Sequence, residues 1–396
     1  MRVAVVHDWL YVIGGAERVL EQILQVFPDA DVYSVFASLS EDERRRIGIT
    51  RPVRTTFLQR IPRVGRWHRA LLPLMPLAIE QLDLSQYDLV ISSSYAVAKG
   101  VLTGPDQLHV SYVHSPIRYA WDLQHRYLAE VGSSRGLKSM LMRALLHKIR
   151  IWDFRTAHGP DVMIANSNFI ARRIRKVYGR TAQVIYPPVG LSTRTQATPK
   201  GDYFLTASRL VPYKNIEVVV RAFALLPDMK LKVGGSGPQA EYLKKIATPN
   251  VEFIGFVEDG KLRELMAGAR AFIFAAEEDF GIIPVEAQSE GTPVLALRRG
   301  GSRETVVDGY TGLFYDEPTP EAISATVRAF VARETAFSAE DCVTNAGRFS
   351  AERFRAELRA AVDAALSARR SEEAATLASF QNVAGRKEKP LEAARP

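Results

Sequence analysis

Short apolar runs, each ended by glycine or a polar turn and often followed by a helical period, recur along the chain. In order they read "RVAVVHDWL" then "GGAERVLEQIL", "DVYSVFAS", "YDLVISSSY", "HVSYVHS", "DVMIANSN" then "FIARRIRKVYG", and "AQVIYPPVG". The pattern restarts after a polar stretch with "GDYFLTASRLV", "NIEVVVRAFALL", "MKLKVGGSG", "VEFIGFV", "RAFIFAA", "PVEAQSEG", "TPVLAL" and "GLFYD". Strands alternating with helices argue for parallel sheets, so two α/β domains in series are the simplest account. The break falls in the Thr-rich "GLSTRTQATPKGD", which has no apolar period. Residues 1–190 are therefore expected to form one domain, 191–202 a linker and 203–349 a second domain. Residues 350–370, "SAERFRAELRAAVDAALSARR", read as an amphipathic helix packing back toward the N-terminal domain. From Ser371 the periodicity weakens, and 371–396 is expected to be a mobile tail. In open α/β sheets ligands bind beyond the carboxyl ends of the strands, and two such domains face to face make a cleft. The informative residues are those just after strands.

Composition adds limits. A chain of 396 residues, 47% hydrophobic and 24% charged, has enough apolar surface for large cores. "MRVAVVHDWL" reads as neither signal peptide nor anchor, and "ALLPLMPLAIEQL", broken by Pro73 and Pro76, is short of the ~20 residues of a spanning helix. The single Cys342 reads as a small buried residue in a reducing cytoplasm. The net charge of +8 is uneven: residues 1–200 hold 27 Lys and Arg against 16 Asp and Glu, the remainder 25 against 28. Residues 51–70, "RPVRTTFLQRIPRVGRWHRA", contain six Arg and no acid, interleaved with Phe57, Leu58, Ile61 and Trp67. Residues 135–150 also lack acids, and there Leu141, Leu145 and Ile149, with Met142 and Leu146, mark one helical face while Arg143, His147 and Arg150 lie off it. A basic, amphipathic surface suits an anionic bilayer, where each Lys or Arg contributes about 1 kcal/mol near the headgroups. A core-facing helix with a solvated basic back is the plainer alternative. Nucleic acid is not expected, because no nucleic-acid motif accompanies the charge.

Several motifs follow strands. "SRLVPYKN" places Arg209 and Lys214 on a strand-to-helix loop, where a guanidinium fork and a point charge together suit a diphosphate. The glycines of "GGSGP" allow close backbone or ligand approach. "EEDFGIIPVE" places Glu278 at a strand end, a turn at Gly281, and Glu286 in the first turn of a helix. Free backbone N–H groups around Gly281, Ile282 and Ile283 are ready for an anion. The two glutamates are open to three readings: an acid/base pair, two metal ligands, or two acceptors holding a polyhydroxylated ligand. For Glu286 alone, a helix N-terminal acid stabilised by the dipole explains as much.

Together, "SRLVPYKN", "GGSGP", "FIGFV", "EDFGIIPVE" and "GGSRETVVDGYTGLF" resemble, in order and spacing over residues 203–330, the nucleotide-sugar domain of retaining family 4 glycosyltransferases. "HDWLYVIGGAERV" and "SYVHSPIRYAWDL" extend the resemblance to the N-terminal half, most closely to bacterial mannosyltransferases of O-antigen and exopolysaccharide assembly. The resemblance implies a GT-B fold, two Rossmann-like α/β domains facing across a cleft. It implies Gly14, Gly15, Arg209, Lys214 and the Gly281–Ile283 backbone on the donor diphosphate, Glu286 on the ribose, and Gly255, Phe256 and Val257 at the base. Glu278 would meet the transferred sugar, and His114 would be the active-site histidine, holding the sugar instead of attacking it. Under this resemblance the glutamates are clamps, neither an acid/base pair nor metal ligands. One departure is "YPPVG", where the family often has "YPPVD" and this chain has Gly190.

The expected reaction is retaining transfer of mannose from GDP-mannose to a polyprenyl-diphosphate-linked glycan. It would proceed at the inner face of the cytoplasmic membrane, with a nucleotide-sugar co-substrate and neither cofactor nor metal. The D-x-D string "DAD", Asp29–Asp31, precedes a strand and reads as a turn. The rivals are a GT-B transferase using a UDP-sugar on a soluble acceptor, a non-catalytic sugar-nucleotide sensor, and a nicotinamide dehydrogenase. The absence of a G-x-G-x-x-G fingerprint after a strand of this sequence argues against the last.

Overall fold

The computed structural model describes residues 1–130, 135–192 and 198–386. Within them the apolar runs become two all-parallel sheets. The first is built from β1 (Val3–His7), β2 (Asp31–Ser34), β3 (Arg54–Thr55), β4 (Leu89–Ser94), β5 (Leu108–Val113), β6 (Val162–Ala165) and β7 (Gln183–Val184). Its order is β3-β2-β1-β4-β5-β6-β7. The second contains β8 (Tyr203–Ala207), β9 (Lys230–Gly234), β10 (Val251–Gly255), β11 (Phe272–Phe274), β12 (Val294–Leu297) and β13 (Gly312–Tyr315), ordered β10-β9-β8-β11-β12-β13.

Strand β1 shows why these runs are unbroken. Val5 packs in one cluster with Val32, Ile91 and Val110, whereas Ala4 and Val6 pack in another with Tyr33 and Val90. Successive side chains point to opposite faces, so a sheet covered on both faces needs an apolar residue at every position. In the second sheet Phe204 and Leu231 face one layer and Leu205 and Phe272 the other. The strand order reverses beside the first strand of each sheet, since β1 lies between β2 and β4 and β8 between β9 and β11. Each reversal opens a crevice at the carboxyl ends of these strands.

The C-terminal helix, Ala351–Arg386, does not stop near Arg370. The segment after Ser371 loses its apolar stripe but keeps Ala, Glu and Arg, which sustain a helix without one. The rest of the expected tail, residues 387–396, lies outside the described residues, as does the linker segment 193–197. The first turns of this helix join the core of the first sheet through Phe354, Leu358, Ala361 and Val362. Phe354 meets Tyr112 edge-on, with centroids 5.6 Å apart. The chain thus crosses to the second domain and returns to seal the first.

Helix Leu137–Thr156 corrects the expected apolar face. Leu146 and Ile149 are buried against Ile117, Ala120 and Leu128, but Leu141 is 62% exposed, together with Leu137, Met140, Ile151 and Phe154. Arg150, expected off the packed face, turns inward and donates to the Ala120 carbonyl at 2.7 Å. Strand β3 lies inside the basic 51–70 segment, where no apolar run announces it.

The returning helix gives a direct test. All four tryptophans (9, 67, 121 and 152) lie in the first domain, so their fluorescence follows that domain. Phe354→Ala, in the C-terminal helix, is expected to destabilise this domain by about 3–5 kcal/mol in urea, the range for truncating a buried aromatic. An unchanged midpoint would show that the helix does not complete this core.

Candidate active site

The two crevices face each other and enclose a cleft of about 730 Å³. From the first domain its walls include Gly14, Gly15, Arg18, Tyr95, His114, Ser115 and Arg118. From the second come Arg209, Lys214, Glu278, Gly281, Ile282, Ile283 and Glu286. Ten of the expected site residues, drawn from both halves of the chain, therefore converge. Gly255, Phe256 and Val257 are not among the lining residues, and Phe256 is 77% exposed beyond β10.

Each side chain is placed by its strand. Gly14 caps helix Gly15–Val26 after β1, and its N–H donates to Glu17 at 2.8 Å. Gly15 lies where a Cβ would come within 2.7 Å of the Ile282 side chain, so a glycine there lets the domains approach this closely. Asp8, just beyond β1, is wholly buried and accepts four backbone N–H bonds from Tyr95, Ala96, Val97 and Ala98 at 2.6–2.9 Å. These bonds fasten the loop after β4 to the loop after β1. Burial raises the Asp8 carboxyl above its ordinary value, against the lowering pull of the N–H donors.

In the second domain the loop after β11 is held from both sides. The Gly301 N–H donates to the Glu278 carbonyl at 2.8 Å, and a Cβ on Gly301 would come within 2.3 Å of the Phe280 backbone. Across the domain boundary Ser167 donates to the Asp279 carbonyl at 2.6 Å, and Arg118 and Arg173 reach its carboxylate at 3.2 and 2.9 Å. Helix Ile282–Ser289 starts at this loop. Glu286 accepts from Arg18 of the first domain at 2.6 Å, so this carboxylate also joins the domains. Lys214 contacts Glu278, and Arg209 donates to Tyr213 at 2.7 Å. Burial pulls the Lys214 ammonium down to about 8, with the Arg209 and Arg118 charges adding to the effect. An arriving polyanion would restore the charged form.

His114, beyond β5, is bonded through Nε2 to Ser93 Oγ at 2.8 Å. Tyr95 and Tyr112 pack edge-on against its ring. Burial, and then the nearby His7, lower its pKa to about 3, so the ring is neutral near pH 7. The sequence reading passed over Arg18, Glu17, His7, Ser93 and Asp279. For Glu17 a signal existed: Gly-x-x-Glu with the acid at the third helical position is a capping-box spacing. Ser115 was also missed. Its buried hydroxyl has no protein partner among the described residues, and the residue lines the cleft. In "DAD", Asp31 begins β2 and accepts from Tyr87 at 2.6 Å, at the amino end of the strand and away from the cleft. No cluster of three metal-ligating side chains occurs among the described residues.

Two facing α/β domains with this cleft define the GT-B architecture. Anabaena HepE, solved with UDP and glucose, matches with a TM-score of 0.67 at 18% identity, over 92% of this chain and 100% of its own, a likeness that shows the fold. The family model described as Glycosyltransferase Family 4 matches residues 13–193, and that described as Glycosyl transferases group 1 matches 192–348. The chain belongs to glycosyltransferase family 4.

Among its relatives is the GDP-mannose-dependent alpha-(1-6)-phosphatidylinositol monomannoside mannosyltransferase of Mycolicibacterium smegmatis. It is 31% identical over 204 residues, 44% of this chain and 53% of its own length. The D-inositol 3-phosphate glycosyltransferase of Corynebacterium glutamicum is 38% identical over 130 residues, 29% of this chain and 31% of its own length. The chain thus matches about half or less of the length of these curated relatives.

Strand β5 links the cleft to acid stability. His109, wholly buried near its start and bonded to Ser92 at 2.8 Å, is lowered by burial to about 3, against about 6.5 for a free histidine. Between those values the unfolded chain takes up a proton that the folded chain refuses, so stability falls as pH drops through this window. His109→Gln is expected to flatten the loss by up to about 1.4 kcal/mol per pH unit, read from urea midpoints between about pH 7 and about pH 5. A variant with the wild-type slope would contradict this.

Proposed function

We propose that the protein transfers a hexosyl group, with mannose from GDP-mannose the favoured donor, to a lipid-linked glycan with retention of configuration and without a metal. The observation that carries this reading is the convergence of Arg209, Lys214, Glu278, Glu286 and the helix start at Ile282 opposite Gly14 and His114 in one cleft. Two cations and free helix N–H groups suit a diphosphate. Carboxylates on either side of it suit the hydroxyls of a sugar and a ribose. The GDP-mannose dependence printed for the Mycolicibacterium relative supports the choice of donor.

In the proposed reaction the bond from the sugar anomeric carbon to the diphosphate oxygen breaks, and a bond to the acceptor hydroxyl oxygen forms on the same face. The hydroxyl proton passes to a departing phosphate oxygen, and the nucleoside diphosphate leaves. Charge developing on that diphosphate is stabilised by Arg209, Lys214 and the helix start, which together do the work a metal would otherwise do. Binding the ribose at Glu286 brings it beside Arg18, so a bound nucleotide would strengthen the join between the domains.

The exposed side of the first domain supports membrane contact. Leu137, Leu141 and Ile151, with Lys148 between them, recur at helical spacing and stand in solvent. Leu72 packs both with this helix and with the basic 51–70 region, whose Trp67 is 60% exposed. No helix among the described residues is long and apolar enough to cross a membrane. A lipid-linked acceptor would therefore be met at the surface.

Two measurements test these readings. A screen of GDP-mannose against UDP-sugars is expected to show donor consumption that persists in chelator and is lost by at least about a hundredfold in Lys214→Ala and Glu278→Ala. Near-normal turnover in both variants would overturn the site, restoration by Mn²⁺ or Mg²⁺ the metal independence, and preference for a UDP-sugar the donor. Co-sedimentation is expected with anionic vesicles, weakening as salt rises and in a Leu141→Glu, Ile151→Glu variant. Equal binding to neutral vesicles would contradict the electrostatic part.

A further inference from the structure

A continuous line of hydrogen bonds runs behind the cleft wall. The Gly14 N–H donates to Glu17 Oε2 at 2.8 Å, and Glu17 Oε1 lies 3.3 Å from His7 Nε2. His7 Nδ1 lies 3.1 Å from Ser93 Oγ, and Ser93 Oγ lies 2.8 Å from His114 Nε2. His7 and Ser93 have no solvent exposure and Glu17 only 4%, so water has little access to reset the direction of any bond. The four side chains come from β1, helix Gly15–Val26, β4 and the loop after β5, so the line belongs to the tertiary fold. The remaining ring nitrogen of His114, Nδ1, has no protein partner among the described residues, and His114 lines the cleft.

The direction of the line follows from counting protons. A carboxylate only accepts, so Glu17, already accepting from Gly14, calls for a proton on His7 Nε2. With His7 taken in its neutral form, which carries one proton, His7 Nδ1 is left as an acceptor for the Ser93 hydroxyl. With its proton so used, Ser93 oxygen accepts from His114, which places the His114 proton on Nε2. Nδ1 is then a bare acceptor on a residue that lines the cleft.

We propose that Glu17, His7 and Ser93 are positioning residues that fix His114 in its Nε2–H form, so that Nδ1 accepts a hydrogen bond from a hydroxyl of the transferred sugar. This rests on the hexosyl-transfer reading for its ligand, but not for the tautomer itself. The neutral state of His114 fits the assignment, because an imidazolium has no acceptor to offer. Since Glu17 also holds the Gly14 N–H, the loop expected to meet the donor phosphates and the histidine expected to meet the sugar share one hydrogen-bond frame. A shift of that loop on donor binding would be transmitted to the ring.

One nearly isosteric change would reverse the line. In Glu17→Gln the amide oxygen keeps the Gly14 bond and the amide NH₂ faces His7, so His7 Nε2 becomes an acceptor. Every bond down the line then reverses, and His114 carries its proton on Nδ1. With ¹⁵N-labelled histidine, long-range ¹H–¹⁵N spectra report the tautomer of each ring, and His114→Gln identifies the His114 signals. The wild type is expected to show His114 protonated at Nε2, Glu17→Gln at Nδ1, and Ser93→Ala a loss of the fixed form. In turnover, Glu17→Gln is expected to lower kcat about tenfold to a hundredfold with donor KM little changed.

An Nδ1–H tautomer in the wild type, or one indifferent to both Glu17→Gln and Ser93→Ala, would overturn the proposal. If no nucleotide sugar is consumed by the wild type while the tautomer reverses as expected, the hexosyl-transfer reading fails and the relay stands.

Discussion

The site depends on the loop after β11 being gripped by both domains at once. Within its own domain the loop is pinned by the Gly301 N–H on the Glu278 carbonyl, and from across the cleft by Ser167, Arg118 and Arg173 on Asp279. Glu278 projects from this loop, and helix Ile282–Ser289, which carries Glu286, starts from it. Release of either grip would move both carboxylates and the helix start together. Gly15 allows this closeness, because any larger residue would meet Ile282 across the boundary. Beside these polar bonds, Phe280 of the same loop packs with Tyr186 and Val189 in an apolar cluster.

The first domain answers with a frame of a different character. Its cleft wall is organised from behind by buried groups: Asp8, His7 and Ser93 are not among the lining residues, and Glu17 joins them to the lining. Asp8 ties the loops after β1 and β4 through four backbone N–H groups, and the line from Glu17 to Ser93 reaches His114 from the same two strands. The C-terminal helix belongs to the same domain, since Phe354 and Val362 complete the first sheet's core although the chain reaches them only after the second domain.

Much of this was legible in the sequence, for a physical reason. Sheets covered on both faces need unbroken apolar runs, so the longer strands of both domains announce themselves, and the residues following them, such as His114, Lys214 and Glu278, fall in the cleft. What escaped depends on partners distant in sequence. Ser93 reads as one more small residue of a strand, and only the fold brings it between His7 and His114. Arg18 looks like a solvated helix residue until Glu286 is placed opposite it. Strand β3 is two residues long in an arginine-rich segment, and its pairing with β2 supplies what its own sequence does not. The helix end was misplaced because an apolar stripe marks packing, whereas the helix itself continues on propensity.

The central claim is that one ligand, a nucleoside diphosphate sugar, is held by both walls of this cleft. Amide hydrogen exchange with and without GDP-mannose tests it most directly. The account predicts slowed exchange at both the loop after β1, residues 11–17, and the loop and helix start at 277–284, with little change at the sheet edges β3 and β10. Protection confined to one wall, or appearing only away from the cleft, would contradict it.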